Sequence, residues 1–280
     1  MYEFFFGLRE PAFSLTQDPR FLWLSETHEE GLAALQYGIT SRKGFLLLTG
    51  EVGAGKTTLL RAVLQRLSEG TDVAMILNTA GLAQMDLLRL IAAELRLPAT
   101  LENKGDFVLA LNALLLETLR TGQNTVLIID EAQNLSIQAL EEIRLLSNLE
   151  TESEKLLQIV LTGQPELRHK LAAPSLRAIR QRIALEHHVE RLLPEEIRPY
   201  LAHRIQVAGG EYESVFDAGT EELFYDCSRG SPRVINLLAD RALLGAYAKQ
   251  VRPVPQALLE RKAKQLEGLL ESSPPGPEDL

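Results

Sequence analysis

Cysteine is almost missing from these 280 residues, with Cys227 the only one. A lone thiol excludes an intramolecular disulfide. The five histidines (His28, His169, His187, His188 and His203) are mostly scattered, so no Cys/His group has zinc-site spacing. A surplus of positive charge is missing too: 29 Lys and Arg stand against 38 Asp and Glu, a formal charge of −9. That balance disfavours a general nucleic-acid surface, because phosphate affinity normally draws on excess Lys and Arg. Long apolar runs are lacking, and none nears the roughly 18–20 residues that span a bilayer. The opening MYEFFFGL is aromatic, yet it has no basic leader, adequate apolar stretch or small-residue cleavage site. A cytoplasmic protein is the expectation.

What is present suits a sizeable core: 45% of the chain is hydrophobic, and chains of roughly 300 residues bury about three quarters of their unfolded surface. Strand-like runs rich in Val, Ile and Leu occur at residues 44–50 (GFLLLTG), 72–78 (DVAMILN), 125–130 (TVLIID) and 156–163 (LLQIVLTG), with a weaker one in 183–192. Their continuous apolar character points to a parallel sheet covered on both faces. Helix-period segments between them (KTTLLRAVLQRLSEG, MDLLRLIAAELRL, DFVLALNALLLETLR, IQALEEIRLLSNLET) make βαβ units. The expected fold is α/β, a three-layer αβα core with a parallel sheet. After Leu193 only helical patterns follow, which predicts a small all-α subdomain. The expected division is a linker at 1–40, a core at 41–192, a helical lid at 193–270 and a disordered acidic tail at 271–280, where ESSPPGPEDL is Pro-rich and apolar-poor.

Gly50-Glu51-Val52-Gly53-Ala54-Gly55-Lys56-Thr57 fits G-x-x-x-x-G-K-[ST] between an expected strand and an expected helix, and Thr58 continues the helix start. Backbone amides and the helix's positive end would cradle phosphate. Lys56 would reach the β- and γ-phosphates and Thr57 would bind Mg²⁺. At the end of TVLIID, Asp130 would hold the hydrated Mg²⁺ and Glu131 would polarise a water for in-line attack. Gln164, after the strand LLQIVLTG, is read either as a contact to the γ-phosphate or the attacking water, or as a cap for the helix starting at Pro165; Thr162 is a lesser candidate. PSLRAIRQRI places Arg177, Arg180 and Arg182 on an expected helix. Arg182 and Arg177 are candidates for an arginine delivered to a neighbouring subunit's nucleotide, which would put that nucleotide at a subunit interface.

In RGSPRVINLLADRALL, Ser231 reads as an N-cap and Pro232 as the first helical residue. Arg233 then sits in the first turn, where the helix dipole disfavours a cation by a few tenths to ~1 kcal/mol. A bound phosphate would remove that conflict, which makes Arg233 a nucleotide-sensor candidate.

Together the phosphate loop, IIDEAQ, the polar strand end, the arginine cluster and GSPR resemble an AAA+ ATPase. More narrowly, residues 1 to about 265, with YEFFFGLREPAFSLTQDPRFLWLSETHEEGLAALQYGI, EEIRLLSNLET, GQPEL, LRAIRQRI and GSPRVINLLADRALLGAYA, look like the ExeA or general-secretion-pathway-A branch. The resemblance implies ATP as the nucleotide, assembly with copies of itself into a ring or filament, and a linker, here Tyr2 to Gly38, against the nucleotide pocket. It also implies work on a secretion, pilus or polysaccharide-export complex, with recruitment to the inner membrane by a protein of that system. Longer members continue into a transmembrane helix and a peptidoglycan-binding domain, which residues 1–280 do not include. The module is similar also to DNA-bound transposition regulators, which would need a basic stripe from residues such as Arg42, Lys43, Arg61 and Arg66. A nucleotide-gated scaffold with little turnover is the remaining alternative; Glu131 and Gln164 argue for chemistry.

Overall fold

A computed structural model describes residues 1–15, 18–67, 70–77, 79–98 and 103–271. In chain order the helices are α1 (Tyr2–Phe6), α2 (Glu26–Thr40), α3 (Lys56–Arg66), α4 (Gln84–Glu94), α5 (Lys104–Arg120), α6 (Ile137–Leu146), α7 (Pro165–Leu171) and α8 (Arg177–Arg180). They continue with α9 (Ile197–Val207), α10 (Tyr212–Val215), α11 (Thr220–Ser228), α12 (Pro232–Lys249) and α13 (Gln256–Glu271). The strands are β1 (Phe45–Gly50), β2 (Thr71–Ile76), β3 (Asn124–Ile129), β4 (Leu157–Gly163) and β5 (Ile183–Val189). Apart from Glu271, the tail expected at 271–280 lies outside the described residues, as do Ser68, Glu69 and Asn78 at the ends of expected elements. By contacts the chain divides into two units: Glu26–Glu51 with Leu59–Glu190, and Met1–Ser25 with Val52–Thr58 and the chain from Arg191 onward.

The first unit carries the sheet, in the order β2-β3-β4-β1-β5, with every neighbouring pair parallel. The central strands β3, β4 and β1 are buried on both faces along almost their whole length. Their unbroken apolar runs follow from that position. The edge strands differ. In β2 only Ala74 and Ile76 are fully buried, and in β5 only Val189 is. An edge strand is covered less completely than a central one, so the polar residues of β5 are tolerated and its sequence signal is weak.

On one face, Phe45, Leu47, Leu127, Ile129, Ile159 and Leu161 form a continuous core with Leu87, Leu88 and Ile91 of α4, Phe107, Leu111 and Leu115 of α5, and Leu140 and Ile143 of α6. Each such side chain contributes about 1.5–3 kcal/mol of burial. The opposite face buries Leu46, Leu48, Val126, Ile128 and Val160 completely. There α2 lies against β1 and β5, with a ring nitrogen of His187 2.8 Å from the Thr27 carbonyl oxygen. Loops at the carboxyl ends of parallel strands are where open α/β sheets bind ligands, and the loops after β1, β3 and β4 all leave from that end.

In the second unit, α9 to α13 pack around Leu201, Ile205, Phe216, Phe224, Leu238, Leu243 and Leu259, and residues 1–25 add Phe6, Leu8, Phe13 and Phe21 to the same core. Phe216 is its aromatic hub, with ring centroids 5.2 Å from Phe224 and 6.1 Å from Phe13. Buried Arg204 staples the N-terminal segment by donating to the carbonyls of Ala12 (2.8 Å), Ser14 (3.2 Å) and Phe21 (3.4 Å). Its guanidinium also stacks over Phe21, 5.1 Å from the ring centroid. The Tyr2 hydroxyl bonds Asp240, and burial followed by that bond pushes the phenol well above its ordinary range.

Candidate functional site

The segment between β1 and α3 is the glycine-rich loop. Gly53 (φ 76) and Gly55 (φ 101) both take left-handed backbone, the geometry that curls successive amides into an anion-binding concavity. Lys56 opens α3 with only 6% exposure, and half-buried Thr57 and Thr58 follow in the first turn. That turn holds no acidic residue, and the positive end of a helix favours an anion.

Within the same unit the loop meets the start of α12. A methyl group on Gly53 would lie 2.8 Å from Arg233 Cβ and 3.0 Å from Ser231 Oγ. Glycine is therefore needed twice at this position, for its φ and for the approach of α12. Pro232 is the first helical residue and Ser231 occupies the N-cap position, but the Ser231 side chain makes no capping hydrogen bond, which corrects part of the sequence reading. Its hydroxyl lies beside the glycine loop instead. Arg233 stands in the first turn with its stem against Gly53, so a cation sits at the disfavoured end of the helix, next to the loop built for an anion.

In the sheet unit, the turn after β3 gathers the carboxylates. Asp130 is 6% exposed; its Oδ1 accepts from the Thr162 hydroxyl at 2.6 Å and from the Glu131 amide at 3.0 Å. Glu131 has φ 51 and ψ 40, a left-handed conformation carried by a residue with a side chain. Its backbone is held there by the Thr79 hydroxyl, which donates to the carbonyls of Glu131 (2.8 Å) and Asp130 (3.3 Å). The Glu131 carboxylate is held too: Oε2 accepts from Gln164 Nε2 at 3.1 Å and from Gln133 Nε2. Gln164 occupies the N-cap position of α7, yet its side chain makes no capping bond; its amide goes to Glu131. Below the turn, Lys170 donates to the carbonyls of Gln133 and Leu135, and Ser136 caps α6 by accepting from the Ala139 amide at 3.1 Å.

The arginine cluster does not share one helix. α8 ends at Arg180, and Arg182 stands in the turn before β5 because the chain must extend to join the sheet at Ile183. Arg182 Nη1 donates to Ser147 Oγ at 2.8 Å. Arg177 opens α8 and is exposed. Sequence reasoning missed Thr79, Gln133 and His188. His188 Nδ1 lies 2.9 Å from Thr49 Oγ1, tying β5 to β1 immediately before the glycine loop. Gln133 was visible inside IIDEAQ, but nothing local to that string says where its amide points.

These groups fit a magnesium nucleotide. The left-handed glycine loop at a helix start is a cradle for phosphate. Among the described residues no group of three or more His, Cys, Asp and Glu side chains is arranged to hold a metal by itself. Magnesium carried on a nucleotide asks for only one or two carboxylates, the rest being phosphate and water, and in the sheet unit the buried Asp130 is a carboxylate of that kind.

Residues 39–171 match the AAA domain family. The fold is similar to that of Cdc6p from Pyrobaculum aerophilum (TM-score 0.70, 19% identity, 94% of this chain and 74% of that one). It is similar also to the Aeropyrum pernix ORC2 protein in ADPNP–ADP complexes (TM-score 0.68, 18% identity, 91% and 71%). The RuvB Holliday junction branch migration motor of Thermotoga maritima matches with TM-score 0.55 at 16% identity, over 87% of this chain and 70% of that one. Sheet order, glycine loop and these likenesses define a P-loop NTPase fold of the AAA+ class. General secretion pathway protein A of Aeromonas hydrophila is 42% identical over 273 residues, 96% of this chain. The chain is similar to that protein over almost all of its own length, and it spans about half, 49%, of that relative's length. Among the described residues no helix is long and apolar enough to cross a membrane.

Proposed function

We propose that this protein binds ATP with magnesium and hydrolyses it, and that copies of it assemble to drive the assembly or remodelling of a secretion, pilus or polysaccharide-export complex. The observation that carries hydrolysis is the turn after β3, where Glu131 is kept in a strained conformation with its carboxylate tethered by Gln164. Strain of this kind costs about 1–3 kcal/mol and persists where function requires it. In this reading the amides from Gly50 to Gly55, Lys56 and the start of α3 hold the phosphates, Glu51, Val52, Ala54 and Thr58 complete the loop, and Arg233 senses the nucleotide. Thr57 and Asp130 hold magnesium, Asp130 through water. Bound magnesium supplies charge neutralisation across the phosphates. Glu131 takes the proton of the attacking water and Gln164 fixes that water's direction. Arg182 or Arg177 serves a neighbouring copy's nucleotide. The domain reading also stands as a proposal: linker 1–40, core 41–192, lid 193–270.

The secretion assignment is supported by the identity to General secretion pathway protein A, and an inner-membrane protein of such a system is the partner it implies. Lys56→Ala should weaken ATP binding at least about 100-fold, and Glu131→Gln should keep binding while abolishing turnover. Unchanged affinity in the first variant, measured by calorimetry, would remove the phosphate-loop assignment. Full turnover in the second would remove Glu131 as base. ATP-dependent, salt-sensitive binding to duplex DNA would turn the reading toward a transposition-type regulator.

A further inference from the structure

We propose that Gln133 is a positioning residue for Glu131, bracketing its carboxylate against the end of β4. The inference rests on the reading of Glu131 as the residue that prepares water for attack. Both ends of the Gln133 amide are used. Nε2 donates to Glu131 Oε2, and Oε1 accepts from the Gln164 backbone amide at 3.2 Å. Gln164 closes the loop, since its own Nε2 donates to the same Glu131 oxygen at 3.1 Å. One carboxylate oxygen thus takes two amide N–H donors, on a side chain that is half-buried. A side chain held in this way cannot turn about its terminal torsion without breaking both bonds, so the direction of the remaining oxygen is set before any substrate arrives.

The bracket is anchored at its base and fitted at its tip. Lys170 on α7 donates to the Gln133 carbonyl at 2.8 Å, which fixes the short turn Ala132–Asn134 that carries the side chain. At the tip, a methyl group on Gly163 would come 2.5 Å from Gln133 Oε1. The last residue of β4 therefore needs to be glycine for Gln133 to lie where it does. The bracket also joins two elements, the turn after β3 and the end of β4, so a shift of Gln164 is transmitted to Glu131 by two routes.

Gln133→Met in the full chain keeps the side chain's length and removes both polar ends. The expected result is ATP affinity and KM within about twofold of wild type, an unchanged thermal midpoint, and kcat lower by about 10- to 100-fold, the usual effect of misplacing a reacting group by about 1 Å. A residue that merely packs would not give that split. In a Glu131→Gln background the same substitution should leave the residual single-turnover rate unchanged, because there is no carboxylate left to aim. Gln133→Glu keeps the acceptor toward Gln164 but sets a second carboxylate against Glu131; it should be at least as slow, and it carries the same measurements if Gln133→Met fails to fold. Turnover within twofold of wild type in either folded variant, or an equal loss in the Glu131→Gln background, overturns the bracket alone. A wild-type protein with no turnover overturns the bracket together with the hydrolase reading.

Discussion

Two strand-end segments, the glycine loop after β1 and the acidic turn after β3, both need a residue with left-handed backbone, and they meet that need in opposite ways. The loop uses Gly53 (φ 76) and Gly55 (φ 101); the turn uses Glu131 (φ 51). Glycine enters this region without steric cost, while a residue with a Cβ gives up about 1–2 kcal/mol. The contrast follows from what each segment offers. In the proposed function the loop works through its backbone, and any side chain on Gly53 would collide with Arg233 Cβ at 2.8 Å. In the same proposal the turn works through its side chain, and its strain is held by hydrogen bonds from Thr79 to the Glu131 carbonyl and from the Glu131 amide to Asp130.

Exchanging the solutions should break each segment. Gly53→Ala has the largest expected effect: strained φ and the collision with Arg233 together should lower stability by roughly 2 kcal/mol or more, and ATP affinity should fall about as far as in Lys56→Ala. A thermal melt and a nucleotide titration on the same sample check both. Wild-type affinity in a stable Gly53→Ala protein would mean that the approach of α12 to the loop plays no part in binding.

Thr79→Val is a smaller perturbation and acts on the other segment. It removes the hydroxyl that donates at 2.8 Å to the Glu131 carbonyl and at 3.3 Å to the Asp130 carbonyl. About 1 kcal/mol of stability should be lost, since the Glu131 carbonyl loses the Thr79 hydroxyl but keeps the Asn134 amide at 3.0 Å. Turnover should fall several-fold while ATP affinity stays put. A parallel loss of affinity would show that Thr79 supports the fold generally and not the conformation of Glu131.

The two segments also differ in how much of them the sequence revealed. The glycine loop was legible because its requirements are local: glycines at fixed offsets, then Lys56 and Thr57, between a strand and a helix. The central strands were legible for a related reason, since burial on both faces leaves one kind of residue in Leu46–Leu48 and Val126–Ile129. Asp130 and Glu131 were visible as carboxylates at a strand end, but the bonds that Thr162 and Gln164 make to them were not. Thr79, Gln133 and the neighbours Thr162 and Gln164 come from three places in the chain, and the pairing of β3 with β2 and β4 brings Thr79, Thr162 and Gln164 to the turn that carries Gln133. The arginine cluster was misread for a similar reason: helical periodicity runs through Arg182, but the register of β5 with β1 forces the chain to extend there. The hydroxyl of Ser231 suited a cap by type, and its position beside Gly53 is set by tertiary packing that no local rule contains.

Acid should reach the glycine loop's unit first, with the smallest of these effects. Among the described residues His203 Nε2 is buried without a hydrogen-bond partner, and burial holds the imidazole below its ordinary range, against backbone hydrogen bonds to Arg20 and Leu22 and with the nearby Arg204 charge adding to the depression. A histidine with a depressed folded pKa binds fewer protons folded than unfolded, so its contribution is complete above about pH 6.5 and is lost as pH falls from there through the folded value. Lowering the pH from about 7 to about 5 should therefore reduce the melting temperature of the unit containing residues 1–25, 52–58 and the helices from α9 on. His203→Gln should flatten that part of the profile. Because the glycine loop belongs to this unit and the acidic turn does not, ATP affinity should weaken in step with the acid loss, whereas hydrogen-exchange protection of the amides from Asp130 to Leu135 should hold. Equal loss of protection in that turn, with His203→Gln leaving the profile unchanged, would place the acid-sensitive group in the sheet unit and undo the separation between the two segments.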